Sequence, residues 1–185
     1  MTDSRRVILL GLRASGKSTV GPMVAAALGT VFADLDDELA RDSGAARAGD
    51  VLRSLGEAGF RERERASLER VLGMSIDACG VLALGGGTPT WEASRVLLER
   101  ERSSGRAMLV YLRASAETLA DRLRRSDLAQ RPALLGSDPV AEVSELLSRR
   151  DGLYAALANA VVRVDEPGLD ARGVAERVLS AVRGE

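Results

Sequence analysis

Two rhythms of apolar residues alternate along the chain. The run Val7-Ile8-Leu9-Leu10 is continuous and short, and predicts a strand over 5–10 that ends at Gly11. Val20, Met23, Val24, Ala27 and Leu28 then recur at helical spacing, which predicts a helix over 18–28 closed by Gly29. The same exchange continues to the other end. Strands are expected at 31–33, 81–84, 107–112 and 161–164. Helices are expected at 37–42, 51–73, 91–102, 139–158 and 170–182. Ser115 reads as the cap of a further helix reaching about Arg124. A Gly/Ala-rich kink at 44–49 separates two of the helices, and Pro132 and Gly136 mark 126–137 as a loop.

Five strands alternating with helices predict an α/β fold, a parallel sheet with helices on both faces. Its 185 residues suffice for one domain with a full core and are too few for two. In such a sheet ligands sit beyond the carboxyl ends of the strands.

Composition narrows the chemistry. With 26 basic and 27 acidic residues, no global basic field exists for nucleic acid, and no nucleic-acid partner is expected. The absence of histidine excludes Ser–His and Cys–His triads and every histidine metal site. Cys79, the single cysteine, reads as a small buried apolar residue and permits no internal disulfide. No apolar run reaches membrane-spanning length and no secretory h-region stands at the start. A cytoplasmic chain with no membrane partner, acting as a monomer, is the expectation. All basic residues but one are arginine, and Lys17 is the exception.

That lysine lies in Gly11-Leu12-Arg13-Ala14-Ser15-Gly16-Lys17-Ser18, which fits G-x-x-x-x-G-K-[ST] between an expected strand and an expected helix. The glycines let the loop curl so that the N–H groups of Arg13, Ala14, Ser15 and Gly16, and those of Lys17, Ser18 and Thr19 at the helix start, face an anion. Lys17 brings a charge to the β- and γ-phosphates, and Ser18 a hydroxyl to Mg²⁺. An ATP-type nucleotide with Mg²⁺ is therefore the expected cofactor pair. Asn-Lys-x-Asp guanine recognition is excluded, since no second lysine exists. After the second strand, Asp34 and Asp36 share one side of a segment read as extended, a placement suited to Mg²⁺ and a substrate hydroxyl. The same aspartates also suit a helix cap.

Further pieces follow in order: Gly56-Glu57-Ala58-Gly59-Phe60-Arg61-Glu62-Arg63-Glu64, Gly85-Gly86-Gly87, Arg131-Pro132, and Arg150-x-x-x-Tyr154. With the phosphate loop and Asp34-Leu35-Asp36, this arrangement resembles the shikimate kinases, small P-loop kinases of aromatic amino-acid biosynthesis, over nearly the whole chain. The resemblance implies a three-layer α/β/α P-loop kinase fold of strand order 2-3-1-4-5. A helical substrate-binding insertion at about 36–64 and a short lid at about 125–137 go with it. It implies transfer of the γ-phosphoryl of ATP to the 3-hydroxyl of shikimate. Asp34 would hold Mg²⁺ with Ser18, and Asp36 would bind and orient or deprotonate the hydroxyl. Arg61 and Arg150 would clamp the carboxylate, with Gly86 and Gly87 against the substrate. Arg131 would meet the transferring phosphate, and Arg124 and Pro167 would enclose the adenine.

The chemistry concurs: an anionic polyol needs planar guanidinium donors and carboxylate acceptors. Yet Arg61 also lies in an alternating Arg/Glu run that suits a solvated helix face, with Arg61–Glu64 as a matched pair. Three stretches depart from the family pattern: 44–49, which reads one residue longer, Thr88-Pro89-Thr90-Trp91 after the glycines, and Ala133 in the lid. They keep open a gluconate- or nucleoside-monophosphate-type acceptor, and a nucleotide-binding regulator without transferase activity.

Overall fold

The computed structural model describes residues 5–125 and 140–185. Strands β1 (Arg6–Leu10), β2 (Phe32–Asp34), β3 (Val81–Ala83), β4 (Ala107–Arg113) and β5 (Ala160–Arg163) form one sheet of order β2-β3-β1-β4-β5. Every pairing is parallel. The helices are α1 (Lys17–Leu28), α2 (Leu35–Asp42), α3 (Ala48–Leu72), α4 (Glu92–Ser103), α5 (Ala116–Arg124), α6 (Glu142–Leu157) and α7 (Ala171–Arg183). All residues of β1 and β3, and all of β4 but Arg113, are buried. Because successive side chains leave a strand on opposite faces, burial at every position means that both faces are covered.

The register places the site. Leu9 pairs with Ala83, Ala83 with Asp34, and Leu10 with Tyr111, so β1, β2 and β3 end level with one another. The segments after them, carrying the phosphate loop, Asp36 and the three glycines, therefore emerge side by side at one edge of the sheet.

Two close approaches fix this frame. A Cβ on Gly21 of α1 would lie 2.1 Å from the Phe32 ring, so only glycine lets β2 dock on that helix. Arg6 is 3% exposed, and its guanidinium donates to the carbonyls of Leu72 (2.9 Å), Met74 (2.7 Å) and Cys79 (2.8 Å). It thereby satisfies carbonyls at and beyond the end of α3 and ties that helix to the base of β1.

The insertion has a core of its own. Leu39, Val51 and Phe60 pack together, with Ala45, Ala48 and Leu52 around them, apart from the main core. Three local differences from expectation arise here. The segment read as extended through Asp36 is extended only to Asp34: α2 starts at Leu35, because the Asp34 carboxylate caps it by accepting from the Asp36 amide at 3.1 Å. α3 begins at Ala48, three residues early, and is broken at Gly56, whose φ of 67° leaves the helical region. Thr88-Pro89-Thr90, unassigned from sequence, form a 3₁₀ turn. The lid expected at about 125–137 lies outside the described residues except for Arg125, and Ala133 lies outside with it.

Candidate active site

One cleft of about 790 Å³ opens at the carboxyl edge of β1, β2 and β3. Its floor is the loop between β1 and α1. Gly11 (φ 146°) passes so close to β4 that a Cβ would sit 2.7 Å from the Leu112 carbonyl. Ala14 (φ 64°) is left-handed, the one non-glycine residue with positive φ among those described. These torsions curl the loop into a concavity lined by Arg13, Ala14, Ser15 and Gly16, followed by Lys17, Ser18 and Thr19 of α1. The Lys17 ammonium donates to the carbonyls of Gly11 (2.8 Å) and Leu12 (3.0 Å), which hold the charge at the mouth of the nest.

Across the floor, the Ser18 hydroxyl donates to Asp34 at 2.6 Å. The two place a pair of hard oxygen atoms next to the nest. No cluster of three or more His, Cys, Asp or Glu residues that could hold a metal exists among the described residues. A cation here would thus take most of its ligands from phosphate oxygens and water, which is how Mg²⁺ is commonly held beside nucleotides.

Asp36 follows in the first turn of α2. Its side chain lines the cleft and meets solvent there. Burial, then the charges of Asp34 and Glu64, push its carboxyl up to about 6, against the pull of Lys17.

The far wall gathers the arginines. Arg61, 9% exposed, donates through Nη1 to Glu64 at 2.9 Å, and its guanidinium carbon lies 5.3 Å from the centre of the Phe60 ring. Its Nη2 faces Gly87, where a Cβ would sit only 2.4 Å away. On the other side of the glycines, Arg150 donates to the Gly86 carbonyl at 3.0 Å, and the Tyr154 hydroxyl donates to the same oxygen. The matched Arg61–Glu64 pair of a helix face does form, but inside the cleft wall rather than in solvent.

Most candidates from the sequence meet here: the phosphate loop through Thr19, Asp34, Asp36, Arg61, Gly86, Gly87 and Arg150 all line the one cleft. Arg131 lies outside the described residues. Arg124 and Pro167 are not in the cleft wall; Arg124 pairs with Asp121 on its own helix, and Pro167 is exposed. The wall does include Arg122, which donates to the Val164 carbonyl (2.7 Å) and, more distantly, to that of Ala14 (3.4 Å). It ties α5 to both the phosphate loop and the wall formed by Val164, Leu169 and Val174. Leu119 and Leu123 are the buried stripe of α5, and Arg122 flanks it. Glu64 and Arg47 are also in the wall.

The chain is similar in sequence and fold to known proteins. A family model described as shikimate kinase matches residues 13–183. A shikimate kinase of Halorhodospira halophila is 37% identical over 180 residues, covering 97% of this chain and 94% of that protein. The solved structure of shikimate kinase from Acinetobacter baumannii in complex with shikimate superposes with a TM-score of 0.84 at 31% identity, covering 99% and 95% of the two chains. A gluconokinase from Sinorhizobium meliloti reaches a TM-score of 0.64 at 18% identity, covering 100% of this chain and 94% of its own. At that identity the likeness is one of fold alone.

Proposed function

This chain belongs to the shikimate kinase family, and from that premise we propose how its own residues carry out the ATP-dependent phosphorylation of shikimate. The observation that carries the reading is the two-ended cleft. A phosphate nest with Lys17 stands at one end and two arginines flanking Gly86 and Gly87 at the other, with Asp36 between them.

At the nucleotide end, the curled loop offers N–H groups to the phosphates, and Lys17 moves from the loop carbonyls onto the β- and γ-phosphate oxygens. Ser18 and Asp34 are the residues that would hold Mg²⁺. When bound, that ion neutralises charge on the phosphates being parted. The base lies toward Arg122, Val164, Leu169 and Val174. At the acceptor end, Arg61 and Arg150 bind the carboxylate, for which planar guanidinium groups are suited. The bare Cα atoms of Gly86 and Gly87 allow the sugar-like ring to lie against the backbone.

Asp36 receives a hydrogen bond from the 3-hydroxyl, and orients it or accepts its proton as the oxygen attacks the γ-phosphorus. The ADP oxygen leaves as the new P–O bond forms, so the products are ADP and shikimate 3-phosphate. A carboxyl titrating near 6 is a better proton acceptor at neutral pH than an ordinary aspartate and is still ionised there. Arg131, by its motif position, is assigned to the phosphate in flight. We propose that the enzyme acts as a monomer. The single buried Cys79, with no disulfide to form, suits a reducing cytoplasm.

Phosphorus NMR of the product tests the assignment. A single new phosphomonoester coupled to the proton at C3 of shikimate is expected. A phosphate on another hydroxyl, or on no acceptor, would overturn it.

A further inference from the structure

The stretch 88–91 departs from the family pattern and has no part in the roles above, yet its first residue reaches the acceptor wall. Thr88 is 0% exposed and its hydroxyl donates to Glu64 Oε1 at 2.8 Å. Glu64 is itself 1% exposed, and its other oxygen, Oε2, accepts from Arg61 Nη1 at 2.9 Å. The carboxylate is thus held between one hydroxyl and one guanidinium, each on its own oxygen.

The surroundings explain why the second donor matters. A Cβ on Gly85 would lie 2.9 Å from Asp36 Oδ1, 3.0 Å from Glu64 Oε1 and 3.0 Å from Thr88 Oγ1. Three side-chain oxygens therefore converge over the bare Cα of Gly85, two of them from carboxylates. A hydroxyl has one proton to donate, and Thr88 gives it to Glu64. Without that donor Glu64 Oε1 would be buried beside another carboxylate with no other side-chain donor to it among the described residues, and the side chain would turn. That response loosens its hold on Arg61. Besides Glu64, Arg61 is held by the Phe60 ring beneath it, which fixes no direction for its N–H groups; Gly87 leaves it room, and the remaining anion beside it among the described residues, Glu57, is 3.8 Å away with its side chain 79% exposed.

We propose that Thr88 is a positioning residue for acceptor binding, acting through Glu64 to hold the Arg61 guanidinium in the orientation that receives the substrate carboxylate. This rests on the acceptor-end assignment of Arg61. Thr88 contacts neither nucleotide nor reacting atoms; its effect reaches the reaction through shikimate binding.

The test compares Thr88→Val and Thr88→Ser with the wild-type enzyme by steady-state kinetics in both substrates. Thr88→Val keeps the shape and removes the hydroxyl, and is expected to raise the KM for shikimate about fivefold or more, as loss of a charge-assisted hydrogen bond implies. The KM for ATP should stay within about twofold. Thr88→Ser restores the donor and should restore the KM for shikimate. In a Glu64→Gln background, Thr88→Val should add little, because the carboxylate it serves is gone. An unchanged shikimate KM in T88V, an equal rise in both KM values, or failure of T88S to rescue would each overturn the proposal. If T88V does not fold, the T88S and T88A kinetics decide by the same criterion. Absence of shikimate-dependent turnover in the wild type would instead strike the functional reading itself.

Discussion

The Ser18 hydroxyl donates to the Asp34 carboxylate at 2.6 Å, and that same aspartate caps α2 through the Asp36 amide. One side chain thus serves both the phosphate floor and the start of the insertion. The two roles separate by substitution. Asn caps a helix as well as Asp but carries no charge. Asp34→Asn should leave the unfolding midpoint nearly unchanged while raising the Mg²⁺ concentration for half-maximal activity about tenfold or more. Asp34→Ala should show the same metal defect and lose about 1 kcal/mol of stability as well. Mg²⁺ titrations of activity beside thermal unfolding distinguish these outcomes.

Lys17 stands in the phosphate loop, donating to the Gly11 and Leu12 carbonyls. Lys17→Ala should lower kcat by about 10²–10³, the range for losing one preorganised electrostatic donor. Circular dichroism and the unfolding midpoint should remain close to wild type. Near-normal kcat would contradict the nucleotide-end assignment.

Gly87 and Arg61 form a second testable pair, since a Cβ at 87 would lie 2.4 Å from Arg61 Nη2. The atom it meets is the far end of a flexible side chain, so Gly87→Ala should displace the guanidinium at little cost in stability. The KM for shikimate should rise about tenfold, and Arg61→Ala should raise it at least as far, while the KM for ATP changes little. A rise in both KM values together would make Arg61 a structural residue.

At the nucleotide end the geometry separates two neighbouring arginines. Arg122 bonds to Val164 and Ala14, whereas Arg124 pairs with Asp121. Arg122→Ala should raise the KM for ATP several-fold, and Arg124→Ala by less than twofold. The reverse order would return the adenine contact to Arg124.

Asp36 combines function with a local cost. Its pKa in the fold, about 6, lies above the ordinary 3.8, so the folded state binds the proton more tightly than the unfolded chain. Stability contributed at this site therefore falls as pH rises from about 4 through about 6. Since the carboxylate still meets the solvent of the cleft, the effect is about 1 kcal/mol or less. Asp36→Asn should unfold at a slightly higher temperature than wild type at pH 8, with the difference gone at pH 4. Its kcat should fall by about 10² or more. Equal unfolding midpoints at both pH values would contradict the burial argument.

How far the sequence reveals this site depends on where its information lies. The phosphate loop is legible because fixed spacing between a strand and a helix carries the chemistry itself. The parallel sheet is legible because a strand buried on both faces must be apolar at every position, as Val7-Ile8-Leu9-Leu10 is. What escapes is set by tertiary contacts. Nothing local at Thr88 shows that its hydroxyl meets Glu64, 24 positions earlier. The spacing of Asp34 and Asp36 suits an extended segment, but the cap that Asp34 forms converts the segment to helix after one residue. Which of Arg122, Arg124 and Arg125 lines the cleft depends on the helix phase fixed by Leu119 and Leu123, and composition alone does not give it.

On the proposed reading, one cleft binds ATP at the phosphate loop and shikimate at the two arginines, with phosphoryl transfer between them. Coupled measurement of ADP release from Mg·ATP tests it most directly, with shikimate, gluconate, nucleoside monophosphates or no acceptor. The account predicts rapid release with shikimate and release near background with the others. Release driven by gluconate or a nucleoside monophosphate would contradict the acceptor end, and ATP binding with no release for any acceptor would contradict transferase activity altogether.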